Sequence, residues 1–190
     1  MPAKPDENRL RAEGGLTMLD CFSAVTLNPI NRKTPMQQLY IVRHADAEPL
    51  TTTDEKRCLT PKGERQAAKV GQFCAKQEFA VGPIFSSPLV RAVQTAELLA
   101  EPLGAEVNTS RDLASGMTPD RLRAFLQKHL SCESLLIVGH EPDLSHAVAD
   151  LLGCGPDRLR VKKATLLRLS FGEAKLGLAT LDFLVPVGLL

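Results

Sequence analysis

Two histidines and two arginines stand just after short apolar runs, and their chemistry converges. Leu39-Tyr40-Ile41-Val42 leads into Arg43 and His44, and Leu135-Leu136-Ile137-Val138 leads into Gly139 and His140. Ile84-Phe85 leads into Ser86, Ser87 and Pro88, with Arg91 close behind. The planar fork of a guanidinium matches phosphoryl oxygens. An imidazole can attack phosphorus and carry the phosphoryl group as phosphohistidine. A second imidazole can donate to the phosphoryl oxygens as charge shifts during transfer. This set needs neither a metal nor a cofactor. The chain has no G-x-x-x-x-G-K-[ST] loop and no G-x-G-x-x-G, so nucleotide binding by those routes is unsupported.

These residues reach one place only if the runs are parallel strands. Each run is too short for a helix and reads as a buried strand. Between them lie amphipathic helices. Thr60-Pro61 opens the first, with Thr as cap and Pro in the first turn, and Ala67, Val70 and Cys74 line its inner face. Ser87-Pro88 opens the second, with Leu89, Val93, Ala96 and Ala100 on one stripe. Thr118-Pro119 opens the third, with Leu122, Phe125, Leu126 and Leu130 inward. Pro142 begins the fourth, with Leu144, Ala147, Val148 and Leu151. Two further strands are expected near 165–170 and 176–183. Alternating strands and helices of this kind predict a three-layer α/β/α sandwich with a largely parallel central sheet. In such a sheet ligands bind beyond the C-terminal strand ends, where Arg43, His44, Ser87, Arg91 and His140 fall.

Four segments resemble the histidine phosphatase superfamily, whose fold is also called phosphoglycerate mutase-like. Leu39 to Ala45 is similar to the strand and RHG signature, and Leu59 to Ala67 to the LTxxGxxQA helix start. Ser86 to Ala96 is similar to SSPxxRAxQTA, and Val138 to Pro142 to the second-histidine motif. The short length and the His140-Glu141-Pro142 form resemble the SixA-type phosphohistidine phosphatases. The resemblance spans about residues 37–185. It implies that His44 is the nucleophile, that Arg43, Arg91 and His140 form the phosphate pocket around it, and that water then hydrolyses the phosphohistidine. Ser87 is a helix cap that can also contact phosphate.

The chain departs from the family pattern twice. Ala45 replaces the usual Gly after the histidine, which is tolerable at negative φ. The general acid of many members has no match: Ser115 stands where it would fall, with Asp112 nearby as a weak candidate. An alkoxide leaving group needs that proton, and a positioned acid contributes about 10²–10⁴-fold. An imidazole leaving through nitrogen can be protonated by solvent. The expected reaction is therefore dephosphorylation of phosphohistidine on a protein, such as a histidine phosphotransfer domain. The alternatives are a phosphatase of small phosphate esters, a mutase, or a phosphoprotein-binding module without turnover.

Other polar residues read as ordinary structure. His129 and His146 sit within amphipathic helices, and Lys162-Lys163 is a solvated pair that can rim the pocket. Asp46 and Glu48 fit a solvated loop better than a pocket, and Glu141 fits either a helix cap or a substrate contact.

Composition bounds the rest. The chain has 190 residues and a net charge of +1, with 44% apolar and 24% charged residues. Neither nucleic-acid binding nor a membrane span is expected. Seven Phe, one Tyr and no Trp leave few stacking platforms for a single strand. Five scattered Cys without a C-x-x-C pair fit free thiols in the cytoplasm better than a disulfide framework. Residues 1–36 lack a sustained period and read as a poorly ordered N-terminal extension, leaving 37–190 as the catalytic domain. A monomer is expected.

Overall fold

A computed structural model describes residues 36–49, 53–172 and 178–190. The extension expected over 1–36 lies outside the described residues except for Met36, which is buried in the core. Among the described residues, six strands form one sheet in the order β3-β2-β4-β1-β5-β6. They are β1 (Gln38–Arg43), β2 (Ile84–Ser86), β3 (Val107–Thr109), β4 (Ser134–Gly139), β5 (Leu166–Ser170) and β6 (Thr180–Val185). β1 to β4 run parallel, β5 runs antiparallel to β1, and β6 antiparallel to β5. The expected α/β architecture with a largely parallel sheet is the one observed.

Among the described residues, four α-helices cover the sheet: α1 (Pro61–Lys76), α2 (Val90–Ala100), α3 (Pro119–Lys128) and α4 (Asp143–Leu151). Successive strand residues point to opposite faces, so each central strand feeds two cores. Leu39, Ile41, Leu135 and Ile137 pack with Leu122, Phe125, Leu144 and Val148 of α3 and α4. Tyr40, Val42, Leu136 and Val138 pack with Ala67, Val70, Ala92 and Leu99 of α1 and α2. This two-sided burial is why β1 and β4 read as unbroken apolar runs.

The helix starts bear out their capping residues. Thr60 accepts a hydrogen bond from the Gly63 backbone, and Thr118 accepts one from Arg121, each with Pro in the first turn. The second helix differs from expectation. Leu89 stays extended (φ −70°, ψ 135°), so α2 starts at Val90 rather than at Ser87. Its buried face is Arg91, Ala92, Thr95, Ala96, Leu99 and Ala100, which keeps Ala96 and Ala100 of the expected stripe and replaces Leu89 and Val93. Small residues on that face let the helix lie close to the sheet, while Leu89 and Val93 are only partly buried. Leu130 falls just beyond α3 and packs at the edge of its core. The last strand begins at Thr180 rather than at 176, and positions 176–177 lie outside the described residues. Edge strand β3 was not expected. It has three residues, and two of them are exposed.

Neighbouring strands β1 and β4 send their following helices to opposite faces, α1 to one and α4 to the other. That divergence opens a crevice at their C-terminal ends, where doubly wound sheets bind ligands. The register pairs Arg43 with Gly139 at the last rung. The next residue on each strand is a histidine.

Candidate active site

His44 and His140 meet at the crevice with ring centroids 5.2 Å apart. They are 6% and 3% exposed, so both imidazoles lie almost wholly out of water. Nδ1 of His44 lies 2.8 Å from the Ala45 carbonyl oxygen. A carbonyl only accepts, so Nδ1 carries the proton and Nε2 keeps its lone pair. Arg91 Nε donates to that nitrogen at 3.4 Å. Burial pushes His44 down to about 4, with the Arg91, Arg43 and Lys163 charges adding to the shift against the contact to Ala45. Burial likewise pushes His140 down to about 3, helped by His44 and Arg91. Both rings are therefore neutral at pH 7.

The residues around them converge from separate elements. Ser87, at the end of β2, is fully buried, with its Oγ 2.7 Å from His140 Nε2. The same oxygen accepts from the Leu89 backbone at 3.3 Å, so it braces the entry to α2 without being its N-cap. Nδ1 of His140 is buried without a partner. Arg43 donates to the Val161 carbonyl at 3.0 Å, and its Nε is buried and unpaired. Buried polar groups ordinarily find partners, and Arg43 Nε is a charged donor left without one next to His44.

The expected stripe of Leu89, Val93, Ala96 and Ala100 leaves Arg91 off the inner face of the second helix, and the structure corrects this. Arg91 lies on the buried face of α2, not off it, at 4% exposure. A buried guanidinium needs partners, and Asp54 supplies them. Arg91 donates to the Asp54 backbone oxygen at 2.7 Å and to its carboxylate at 2.8 Å. Arg57 grips the other carboxylate oxygen at 2.8 Å. Hydrogen bonds from Arg57 and then Arg91 hold the Asp54 carboxyl below its ordinary range. Sequence reading missed Asp54. Its only signal was the Asp54–Arg57 spacing in a short polar loop.

The loop after His44 is built rather than merely solvated. Asp46 accepts from Thr60 at 2.8 Å and from Lys163 at 2.7 Å, and its backbone N–H donates to Gln66. Ala45 keeps a negative φ, which satisfies the condition set by replacing Gly. Its N–H donates to Thr95 Oγ1, which in turn donates to the Arg91 carbonyl. Lys163 is held by a turn in which Ala164 adopts φ 51° and donates its N–H to the carbonyls of Arg43 and His44. Lys163 therefore belongs to the surroundings of the site. Glu141 instead accepts from Ser145 within the start of α4, a local contact.

Asp112 stands apart. Its carboxylate pairs with Lys128 at 3.0 Å, and it makes no hydrogen bond to His44, His140, Arg43 or Arg91. Ser115 is exposed. His129 bonds the Phe125 carbonyl and packs on Phe85 and Phe125, while His146 is exposed, as their structural reading expected.

Comparison with known proteins is consistent with this geometry. A sequence profile of the histidine phosphatase superfamily (branch 1) matches residues 39–115. An uncharacterized protein of Picosynechococcus sp. is 35% identical over 148 residues, covering 73% of this chain and 88% of its own. A phosphohistidine phosphatase SixA homolog of Haemophilus influenzae is 31% identical over 129 residues, covering 60% of this chain and 77% of its own. Among solved structures, the protein histidine phosphatase SixA complexed with tungstate superposes with a TM-score of 0.72 at 22% identity. That match covers 80% of this chain and 97% of the other.

Proposed function

From the chain's membership of the histidine phosphatase superfamily and its likeness to phosphohistidine phosphatases, which together identify a phosphatase, we propose that it hydrolyses phosphohistidine on a protein through a covalent intermediate on His44. The observation that carries this reading is the 2.8 Å contact between His44 Nδ1 and the Ala45 carbonyl oxygen, which assigns the tautomer. Nδ1 is hydrogen-bonded to the Ala45 carbonyl, so Nε2 is the unprotonated nitrogen, and its lone pair exchanges the long 3.4 Å contact from Arg91 for the incoming phosphoryl group. That pair attacks phosphorus as the P–N bond of the substrate breaks, and the leaving imidazole takes its proton from water. Water then attacks the phosphoryl group on His44, releasing phosphate and restoring the neutral ring. Arg43, Arg91, His140 and Ser87 bind the phosphoryl oxygens and stabilise their charge through transfer.

The leaving-group argument supports a P–N bond over an ester. Asp54 is the carboxylate that contacts Arg91, and its two arginine partners favour its ionised form. An ionised carboxylate has no proton to give an alkoxide. Asp112 is turned to Lys128. A phosphotransfer protein in the cytoplasm is the partner that fits. The four cysteines among the described residues, Cys58, Cys74, Cys132 and Cys154, are free. No helix among the described residues is long and apolar enough to cross a membrane.

The test is a panel of phosphohistidine protein, phosphoramidate and serine or sugar phosphate esters, run beside His44→Ala. Turnover of the P–N substrates is expected, with an acid-labile, base-stable ³²P label on wild type that is absent from His44→Ala. Equal or faster turnover of the esters would overturn the substrate assignment. Phosphate binding without label or release would leave a binding module instead.

A further inference from the structure

A cavity of about 480 Å³ opens beside Arg43 and Asp46, the residues that flank His44 and Ala45 in the chain. Arg43 lines it, and so do Lys62 from the first turn of α1 and Lys162 and Lys163 from the turn before β5. Four cations thus face one carboxylate, Asp46, which already pairs with Lys163 at 2.7 Å. Among the described residues Lys62 and Lys162 form no ion pair, and both are exposed. The whole chain carries only +1, so this is a local concentration of charge rather than a share of a general excess. A concave surface on which one sign of charge predominates focuses its field on an opposite charge.

The cavity also has an apolar wall, Pro186 and Val187. Lysine ammoniums on flexible stems above apolar surface suit a carboxylate carried on methylenes, whereas a bare anion would leave that surface unused. Arg43 lines this cavity, and its charge and that of Lys163 are felt at His44. A group bound here is therefore close to the reacting phosphoryl group.

We infer that this cavity is a specificity subsite for an Asp or Glu side chain near the phosphohistidine of the substrate protein. The inference rests on the reading of the substrate given above. Lys62 and Lys162 select the substrate and take no part in the chemistry.

Two phosphohistidine peptides of equal length provide the test. One carries Asp and Glu around the phosphohistidine, and the other Asn and Gln. Two exposed ion pairs predict about a ten-fold higher kcat/KM for the acidic peptide at low salt. The K62E/K162E double variant is expected to lose that preference while turning over free phosphohistidine as wild type does. Equal kcat/KM on the two peptides with wild type, or a preference that survives in the double variant, overturns the proposal. So does a stronger preference for an alkyl bisphosphate that the same substitutions abolish, since the cavity would then hold a second phosphate. NMR titration with the unphosphorylated acidic peptide reads the cavity without turnover. Shifts at the Lys162 and Gly188 amides are expected in wild type and not in the double variant, and their absence from wild type also overturns the proposal. If no peptide is turned over yet those shifts persist, the substrate bond has been misread and the subsite stands.

Discussion

At the scale of single residues, one hydrogen bond sets the state of the site. The Ala45 carbonyl fixes the His44 proton on Nδ1, and burial keeps the ring neutral. NMR titration of the free protein is expected to place the His44 midpoint near 4. Inorganic phosphate should move it upward, because a bound dianion favours imidazolium. A midpoint near 6.5, unmoved by phosphate, would contradict this arrangement. Asp54 adds a second expectation. Its carboxylate already pairs with Arg91, so in the proposed site it competes with an incoming anion. Removing one such charge at about 4 Å in water is worth ~1 kcal/mol, so Asp54→Asn is expected to bind phosphate about five-fold more tightly. Calorimetry checks this, and weaker binding would show that Asp54 holds Arg91 in place rather than competing for it. Arg43, His44 and His140 were legible in sequence because each directly follows a buried run. Asp54 was not, because its partner Arg91 is 37 positions away.

At the scale of elements, the His44 loop is clamped between α1 and α2. A Cβ on Gly63 would lie 1.9 Å from the Asp46 carbonyl oxygen. Backbone cannot yield as a flexible side chain does, so Gly63→Ala must push the 45–48 loop away from the helix. Overpacking of this kind costs about 1–3 kcal/mol. The variant should unfold at lower urea and lose turnover beyond its loss of stability, because Asp46 carries Lys163 and follows His44. Retained stability and activity would mean that the loop moves freely. The start of α1 was readable from Thr60-Pro61, since capping chemistry is local. The rotation of α2 was not. Leu89 and Val93 outweigh Ala92 and Thr95 in hydrophobicity, yet close approach to the sheet favours the smaller side chains.

At the scale of the whole molecule, the buried histidines tie stability to pH. In the fold they titrate near 4 and 3, below the ordinary value of 6.5. As pH falls from about 6.5, the unfolded chain takes up protons that the fold refuses, and stability drops. It should be full above pH 6.5 and decline progressively towards pH 3–4. Urea midpoints across that range measure the slope, and His44→Asn should flatten it. A midpoint independent of pH between 4 and 6.5 would contradict neutral burial of the pair. The sequence alone determined the layered fold, because two-sided burial forces unbroken apolar strands and one-sided burial forces amphipathic helices. It also determined which histidines and arginines gather at the strand ends, since a parallel sheet aligns its C-termini. Only the tertiary structure decided which groups touch: the His44 tautomer, the grip of Asp54 on Arg91, and the lysines beside Arg43. The last two join residues far apart in the chain, and the first depends on how the loop after β1 seats against the helices and the finished sheet.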